Sequence, residues 1–382
     1  MAYTLDEVAF LATHTDDIAA ATAGLAFTRS SLLDDVAVLR ARFGEHGRAV
    51  TELAQARRSA TAHGKFPADW LTDLDAAQQA TPQVVAAQRA ARLRRVLGAD
   101  ALIHDVTCSV GTEGASISGG YLGSDLDEVR LAMARHNLGA QAWLIRADAT
   151  VPASRGADAI VADPARRAGG RRITRPEQLL PPLPDLLDAW PGHEMAVKCA
   201  PGLDFSGWDG LVSLVSVDGG VKEACLYTPG LSEGARREAL IITGAEVDRL
   251  TDDLPDDVVA GEPGRYLIDP DGAVVRAGLV RHYAAREGLW MLDERIAYLT
   301  GDEIPAGRSG FPIEEIVPLK KLRAALGPDV GSLEILVRGV DVDPDALRKK
   351  LKLRGTRAAA VVCTRIGSQG VAIVCGPREH RN

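Results

Sequence analysis

Four aspartates in the middle of the chain are spaced so that they could converge on one ligand. Each comes at or near the end of a short apolar segment, at Asp105, Asp125, Asp148 and Asp163. Ligands of open parallel sheets bind at the carboxyl ends of the strands. Asp125 comes about 20 residues after Asp105, the spacing at which a carboxylate accepts the hydroxyls of a ribose in dinucleotide folds. Asp148, after the third segment, is placed to accept a hydrogen bond from an adenine amino group.

The loop after the first of these segments carries small residues where nucleotide-binding loops usually carry several glycines. Thr107, Ser109 and Gly111 occupy these positions, and only the last is a glycine. Small side chains let the backbone approach a ligand closely. Glu113, in the same loop, would repel a phosphate. The acidic surroundings therefore favour a positively charged nucleoside without phosphate groups.

The elements expected to hold these residues alternate between strands and helices over residues 98–250. An amphipathic helix that ends at Gly139 lies between the second and third strand segments. This alternation predicts a doubly wound parallel sheet, with an antiparallel edge over the last strands. The segments predicted as the first five strands are ALIHDVTC, GGYLGSDL, AWLIRADA, ADAIVADP and MAVKCAPG.

Residues 1–97 are predicted to form a helical domain, because they lack β-branched runs and show helical spacing. The clearest helix is TPQVVAAQRAARLRRVLG. We expect Thr81 to be its N-cap, Pro82 to take its first helical position and Gly98 to end it.

The last third of the chain divides into a connecting segment, 251–307, and a small α+β module, 308–382. The connecting segment is interpreted as a loop followed by a turn and a helix. In the module, helices are predicted for EEIVPLKKLRAALG and DPDALRKKLKL, a strand for LEILVRGV, and a hairpin for AAAVVCTRIGSQGVAIVCG.

The composition is that of a globular protein with more than one domain. The chain has 382 residues, of which 46% are hydrophobic and 25% are charged. No apolar run approaches the roughly 18 residues of a membrane helix, so no membrane partner is expected, and no secretory signal is visible. The five cysteines never form a CxxC pair. This pattern favours a reduced, cytoplasmic protein without a metal site.

Charge is distributed unevenly along the chain, although the net charge is −8. Residues from 308 onward carry 14 Lys and Arg against 8 Asp and Glu, whereas the first 307 carry 30 against 44. A possible RNA contact is the basic cluster Arg348, Lys349, Lys350, Lys352, Arg354 and Arg357. The alternative is a solvated helix face. No aromatic residue interleaves with the cluster, so stacking on bases is not predicted there.

Over about residues 80–245 the sequence resembles the class I S-adenosylmethionine (SAM)-dependent methyltransferases. The segment DVTCSVGTEG stands at the glycine-rich first motif, GSDLD at the ribose motif, RADAT at the adenine motif and VADPARR at the catalytic motif. Two glycines of the first motif are missing, and DPAR replaces the (D/N)PP(Y/F) of amino-group methyltransferases. The whole arrangement is similar to that of a bacterial family of SAM methyltransferases with a THUMP-like domain.

The resemblance implies a Rossmann-like α/β methyltransferase sheet with SAM as the cofactor, flanked by the helical N-terminal domain and the THUMP-like module. The residues implied to bind the cofactor are Asp105, Thr107, Ser109, Gly111, Asp125, Leu126, Asp148, Ala149 and Asp163. The residues implied to be catalytic are Asp163, Pro164 and Arg166.

For the catalytic motif, we expect Asp163 to accept a hydrogen bond from the target, Pro164 to fix the backbone and Arg166 to meet a substrate phosphate. The alternative is a turn with an exposed basic pair. Cys199 ends the fifth strand near the place where enzymes that make 5-methyluridine carry a nucleophile. We expect it to be an unreactive small residue.

The sequence thus predicts a cytoplasmic SAM-dependent methyltransferase, in class EC 2.1.1, that acts on structured RNA. Two alternatives stay open. The first is a SAM-binding protein that has lost transfer, and the second is a methyltransferase of a small molecule or a protein. Neither the target atom nor the oligomeric state follows from the sequence.

Overall fold

A computed structural model of the chain describes residues 3–165, 167–168, 171–172 and 175–381. The chain divides into two compact units: unit 1 comprises Met1–Val212 and Glu223–Gly234, and unit 2 comprises Ser213–Lys222 and Ala235–Asn382. The sequence boundaries at 97/98, 250/251 and 307/308 remain a prediction. Within the described residues, every helix is too short or too polar to cross a membrane.

Helices make up the N-terminal part of unit 1. At the first of them, Thr4 and Glu7 form a capping box, in which each side chain accepts the other residue's backbone N–H. Leu11, Leu39 and Leu53 are fully buried in the core cluster that joins these helices. The helices are α1 (Leu5–Thr13), α2 (Thr15–Thr22), α3 (Leu32–Phe43), α4 (Gly47–Ala62), α5 (Leu74–Gln79) and α6 (Gln83–Leu97).

Helix α6 begins later than the sequence suggests, so the prediction that Thr81 is its N-cap is wrong. Pro82 occupies the N-cap position and supplies no side-chain cap. The Thr81 hydroxyl instead donates to Oε2 of Glu223 at 3.2 Å, inside the protein. The Thr81 hydroxyl therefore binds the buried carboxylate of Glu223 and does not cap the helix. Gly98 ends α6 as predicted, with φ +97°.

The strands after α6 form the predicted parallel sheet. In unit 1 the order is β3-β2-β1-β4-β7-β9, with parallel neighbours from β3 to β7 and with β9 antiparallel to β7. From α6 to Tyr227 the strands are β1 (Leu102–Asp105), β2 (Gly120–Asp125), β3 (Trp143–Arg146), β4 (Ala159–Ala162), β5 (Arg167–Ala168), β6 (Arg171–Arg172), β7 (Glu194–Cys199), β8 (Leu211–Val217) and β9 (Gly220–Tyr227). Strands β5 and β6 form a separate two-stranded sheet, and residues 213–222 of β8 and β9 belong to unit 2.

The connections of this sheet explain why its strand ends meet. Every residue of β4 is buried, as expected for a strand covered on both faces. Helix α7 (Glu128–Leu138) follows β2 and is capped by Asp127, whose side chain accepts the N–H of Val129. Helix α8 (Leu183–Ala189) precedes β7. Because β1 to β4 run in one direction, the residues that follow them share one edge of the sheet.

Unit 2 contains a hairpin and a second sheet. The hairpin consists of β10 (Arg237–Thr243) and β11 (Glu246–Thr251), and the sheet has the order β13-β14-β12-β15-β18-β17-β16 with β19 beside β15. Its strands are β12 (Tyr266–Ile268), β13 (Trp290–Asp293), β14 (Ile296–Gly301), β15 (Ser309–Pro318), β16 (Val330–Val337), β17 (Arg357–Ile366), β18 (Gln369–Cys375) and β19 (Glu379–His380). The helices of unit 2 are α9 (Gly272–Ala277), α10 (Val280–Glu287), α11 (Leu322–Ala325) and α12 (Pro344–Leu351).

Two parts of unit 2 differ from the sequence interpretation. The segment predicted as one helix, EEIVPLKKLRAALG, begins as strand β15 and becomes α-helical only at Leu322. Ile316 and Val317 pair with Ile373 and Ala372 of β18, and this strand pairing overrides helical spacing. The segment interpreted as a loop, turn and helix contains strands β12 to β14. The predicted hairpin β17–β18 and the helix over 344–351 are confirmed.

Candidate functional site

A cavity of about 520 Å³ lies in unit 1 at the carboxyl ends of β1 to β4. This is an ordinary size for a small-molecule site. Most of the residues predicted to bind a cofactor line it, namely Asp105, Thr107, Ser109, Asp125, Leu126, Asp148, Ala149 and Asp163. Gly111 and Pro164 do not line the cavity, and Arg166 lies outside the described residues.

Asp125, at the end of β2, is held by the backbone. Its Oδ2 accepts the N–H of Ser109 at 2.9 Å, and its Oδ1 accepts the N–H of Asp127 at 2.9 Å. These two bonds fix the plane of the carboxylate at the cavity wall. A carboxylate has about four acceptor positions, so each oxygen retains one for a ligand.

Asp148, after β3, is exposed at the rim of the cavity. Its Oδ1 accepts both the N–H and the hydroxyl of Thr150, at 2.8 and 2.7 Å. The backbone bond in particular holds the pKa of Asp148 below its usual range. The neighbouring Ala149 is buried, and its carbonyl accepts the indole N–H of Trp190. The loop that presents this acid is thus anchored to the protein core.

Asp105, at the end of β1, differs from the other acids because it is almost completely buried. Tyr121 donates its hydroxyl to Oδ2, and Thr107 donates its N–H to Oδ1. Burial raises the pKa of Asp105 well above its usual range, and the negative charges of Glu113 and Asp163 raise it further. Burial thus opposes the charged form of Asp105, whereas the two hydrogen bonds that it accepts favour that form.

The loop from Thr107 to Gly111 is a tight turn. Ser109 and Gly111 have φ of +49° and +93°. A Cβ on Gly111 would lie 2.8 Å from the side chain of Leu138, so the space beside this glycine is occupied by the protein. Gly111 is therefore required by its backbone conformation and its packing.

Asp163, just after β4, is fixed by two contacts. Its backbone N–H donates to Oγ1 of Thr107 at 2.6 Å, and its Oδ2 lies 2.6 Å from Nζ of Lys198. The Asp163 side chain is 29% exposed to solvent. Pro164, the next residue, is buried.

The two cysteines near the site have surroundings that do not activate a thiol. Cys199, on β7 next to Lys198, is fully buried and does not line the cavity. Cys108 does line it, but burial raises the pKa of its thiol well above the usual range. Since a thiolate is the reactive form of cysteine, burial disfavours Cys108 as a nucleophile.

A chain of buried ion pairs lies beside the cavity, and the sequence did not predict it. Arg89 of α6 pairs with both Glu113 and Glu223, and Lys198 of β7 pairs with Asp163. From the sequence, Glu113 is predicted only to repel a phosphate from the loop. The sequence carries no signal for these pairs, because the partners lie on different elements and follow no periodicity.

The residues around the cavity fit SAM by their chemistry. Asp125, Asp148 and Asp163 are carboxylates, whereas the lining contains a single cation, Arg130, within the described residues. An acidic wall suits a ligand that carries a sulfonium and an ammonium group and whose ribose and adenine donate hydrogen bonds. Among the residues that the structure describes, no group of His, Cys, Asp or Glu could hold a metal ion.

The basic cluster predicted as a possible RNA contact is divided in the structure. Arg348 pairs with Asp345, and Arg357 pairs with Asp329 and Glu314. Lys349 and Lys350 are exposed on α12.

The remaining cations of this cluster line a separate groove. Lys352, at the end of α12 with φ +50°, and Arg354 lie in a groove of about 560 Å³. Arg323, which the sequence analysis did not single out, also lines it. We call the three residues Arg323, Lys352 and Arg354 the basic groove.

Comparison with known proteins identifies the family. Residues 308–377 match the family model described as THUMP domain-like. Over 366 residues the chain is 46% identical to an uncharacterized SAM-dependent methyltransferase of Mycobacterium tuberculosis, found in strains CDC 1551 and H37Rv, with 89% of this chain and 99% of the relative covered.

A solved structure has a similar fold over nearly the whole chain. The crystal structure of a candidate methyltransferase from Porphyromonas gingivalis W83 is similar, with a TM-score of 0.68, 16% identity and 98% of this chain and 99% of that chain covered. By its 46% identity to the M. tuberculosis relative and by its match over residues 308–377, the chain belongs to the SAM-dependent methyltransferases, in a bacterial family with a THUMP-like C-terminal region.

Proposed function

We propose that this methyltransferase modifies structured RNA, and that its THUMP-like region binds the phosphate backbone of the substrate. The observation that carries the proposal is the basic groove. Arg323 approaches it from α11, and Lys352 and Arg354 from the turn after α12. Cations that line a concave surface suit a polyanion better than a flat solvated helix face does.

The electrostatic surroundings of the groove support this assignment. Within the described residues, none of its three cations has an ion-pair partner. Asp329, a nearby carboxylate, is already paired with Arg357 at 2.6 Å. The positive charge of the groove is thus available for phosphates. The region from 308 onward is basic, whereas the rest of the chain is acidic and would by itself repel RNA.

In the cavity of unit 1, we assign the ribose hydroxyls of SAM to Asp125 and its adenine amino group to Asp148. When bound, SAM supplies an electrophilic methyl group. Asp163 accepts a hydrogen bond from the target atom, and Arg166 meets a substrate phosphate. Holding the target about 3 Å from the methyl carbon, with water excluded, replaces a bimolecular encounter by an oriented one.

The cytoplasmic location predicted from the sequence is part of this proposal. All five cysteines are free and buried, which suits a reducing compartment.

Methyl transfer is tested directly by incubating the protein with tritiated SAM and with RNA, protein and small-molecule fractions from cells that lack it. We expect label in the RNA fraction alone. Label in protein or in small molecules would contradict the proposal, and absence of label from every fraction would favour the alternative of a binding protein.

The basic groove is tested by filter binding of bulk RNA across a salt series. The triple variant Arg323→Gln, Lys352→Gln and Arg354→Gln should reduce the slope of log affinity against log salt by about 2, because each lost phosphate contact removes roughly 0.7–0.9 of a released counterion. The matched control is Arg29→Gln, Arg40→Gln and Lys222→Gln, which removes the same charge from exposed positions elsewhere. Equal slopes for the two triple variants would overturn the assignment of the groove.

A further inference from the structure

We propose that Lys198 positions Asp163 for methyl transfer, at one end of a buried chain of ion pairs that reaches from the catalytic edge of the sheet to helix α6. The inference rests on the role of Asp163 proposed above. It concerns residues that the sequence motifs do not include, because Lys198 and Glu223 lie on β7 and β9 and Arg89 lies on α6.

Lys198 contacts one residue that follows β4 and one on β9, the two strands that flank β7. Its side chain is 2% exposed, and Nζ lies 2.6 Å from Oδ2 of Asp163, 3.0 Å from the carbonyl of Gln79 and 3.9 Å from Oε2 of Glu223. An ammonium group has three donors. Two of them are used by the hydrogen bonds to Asp163 and Gln79, and Glu223 forms a longer ion pair with the same ammonium group.

Glu223 connects Lys198 to Arg89 of α6. Its Oε2 also accepts the hydroxyl of Thr81, and its Oε1 accepts from Arg89, which binds Glu113 through its other terminal nitrogen. Glu113 lines the cavity, as Asp163 does. The chain therefore begins and ends at the cavity, and it fixes the residues at both ends relative to α6.

The effect of Lys198 on stability does not explain this arrangement. A buried ion pair gains little net stability, because desolvation of the two charges offsets their attraction, and apolar replacements are often equally stable. Its effect on geometry is large, because Asp163 is held at two points. The backbone N–H is bound by Thr107, and Oδ2 is bound by Lys198.

One oxygen of Asp163 is thereby left for the substrate. Within the described residues, Oδ1 has no hydrogen-bond partner in the protein, and the residue lines the cavity. Oδ1 can accept the hydrogen bond of an N–H or O–H group at the target atom and take its proton when the methyl group is transferred. Without Lys198, Asp163 could rotate, and neither oxygen would keep a fixed direction.

The test compares Lys198→Met, Lys198→Arg, Asp163→Asn and the double variant Lys198→Met/Asp163→Asn. Initial rates are measured with tritiated SAM and total RNA from cells lacking the protein, and SAM binding is measured by calorimetry. General acid–base catalysis contributes about 10²–10⁴-fold. We expect Lys198→Met to lower kcat about 100-fold with KM for RNA and Kd for SAM changed less than threefold. Lys198→Arg should recover at least a tenth of the wild-type kcat.

The double variant separates positioning from a structural role. It removes both charges of the pair together, so it should fold even where Lys198→Met does not, and its kcat should equal that of Asp163→Asn. The matched control is Lys222→Met, an exposed lysine on β9, which should behave like the wild type.

Two results would overturn the inference and leave the proposed function intact. One is a folded Lys198→Met with kcat within threefold of the wild type. The other is a double variant whose kcat is the product of the two single losses, since Lys198 would then act independently of Asp163. Full activity of Asp163→Asn would instead refute the role proposed for Asp163. Wild-type protein that fails to methylate RNA would refute the proposed substrate.

Discussion

Replacing Asp125 tests the cofactor site at its best-defined residue. In Asp125→Ala, a carboxylate that is oriented by the N–H groups of Ser109 and Asp127 is lost. Each of its oxygens retains one acceptor position for a ribose hydroxyl. A hydrogen bond to a charged group contributes about 1.5–3 kcal/mol. The loss of one such bond should therefore weaken SAM binding roughly 10- to 150-fold.

The assay is calorimetric titration of SAM and of S-adenosylhomocysteine into wild type, Asp125→Ala and Asp188→Ala. Asp188 is an exposed acid on α8 that does not line the cavity, so its replacement controls for the change in net charge. The ribose is common to both ligands, and Asp125→Ala should therefore weaken both by the same factor.

Two outcomes would refute this reasoning. SAM affinity within threefold of the wild type, in an Asp125→Ala protein with an unchanged melting temperature, would remove Asp125 from the site. A loss confined to SAM would show that Asp125 acts on the sulfonium charge and does not bind the ribose.

Two further predictions concern the core around the site. Cys199→Ser should retain most of the transfer activity and Asp163→Asn should lose most of it in the same tritium assay, because Cys199 does not line the cavity; a covalent RNA adduct that needs Cys199 would contradict this. His104 lies buried between Ser124 and Ser154, and burial lowers its pKa from 6.5 to about 4. As the pH falls, His104 is therefore protonated in the unfolded chain before it is protonated in the folded protein. Its contribution to the free energy of unfolding is complete above about pH 6.5 and decreases toward pH 4, by up to about 3 kcal/mol. Urea unfolding at pH 7 and pH 4.5 should show a smaller decrease for His104→Gln than for the wild type, and an equal decrease in the two proteins would exclude His104 as the cause.

The parts of the site that the sequence predicted are those governed by local rules. Asp105 and Asp125 end apolar strands, Asp148 and Asp163 come just after such strands, and parallel strands bring their carboxyl ends to one edge. This rule applies once the strands are located in the sequence, whatever their order in the sheet.

The parts that could not be predicted depend on pairing across the fold. Arg89 and Glu223 are separated by 134 positions, and Lys198 and Asp163 by 35. A lysine in a strand and an arginine in an amphipathic helix normally face solvent, so nothing local distinguishes these two. Thr81 is a second example, because its hydroxyl, a good helix cap by local rules, binds the distant carboxylate of Glu223 instead.

Strand β15 shows how tertiary pairing changes a local preference. Its second half has the residue spacing of a helix, yet Ile316 and Val317 are drawn into a ladder with β18. The β-branched residues of this segment fit a pleated surface well, and pairing with β18 decides between the two conformations.

The same strand has a consequence for how this protein can be divided or recombined. Residues 308–377 are a unit of sequence similarity, but Phe311 is buried in a cluster with Leu267, Leu292 and Tyr298, all of which precede that range. The first half of β15 also pairs with β12. A gene fragment starting at residue 308 would encode a sheet with an exposed apolar surface and an unpaired edge strand, and such strands pair edge to edge with other chains and aggregate. A recombined gene that contains residues 308–377 would therefore also need the segment that encodes β12 to β14.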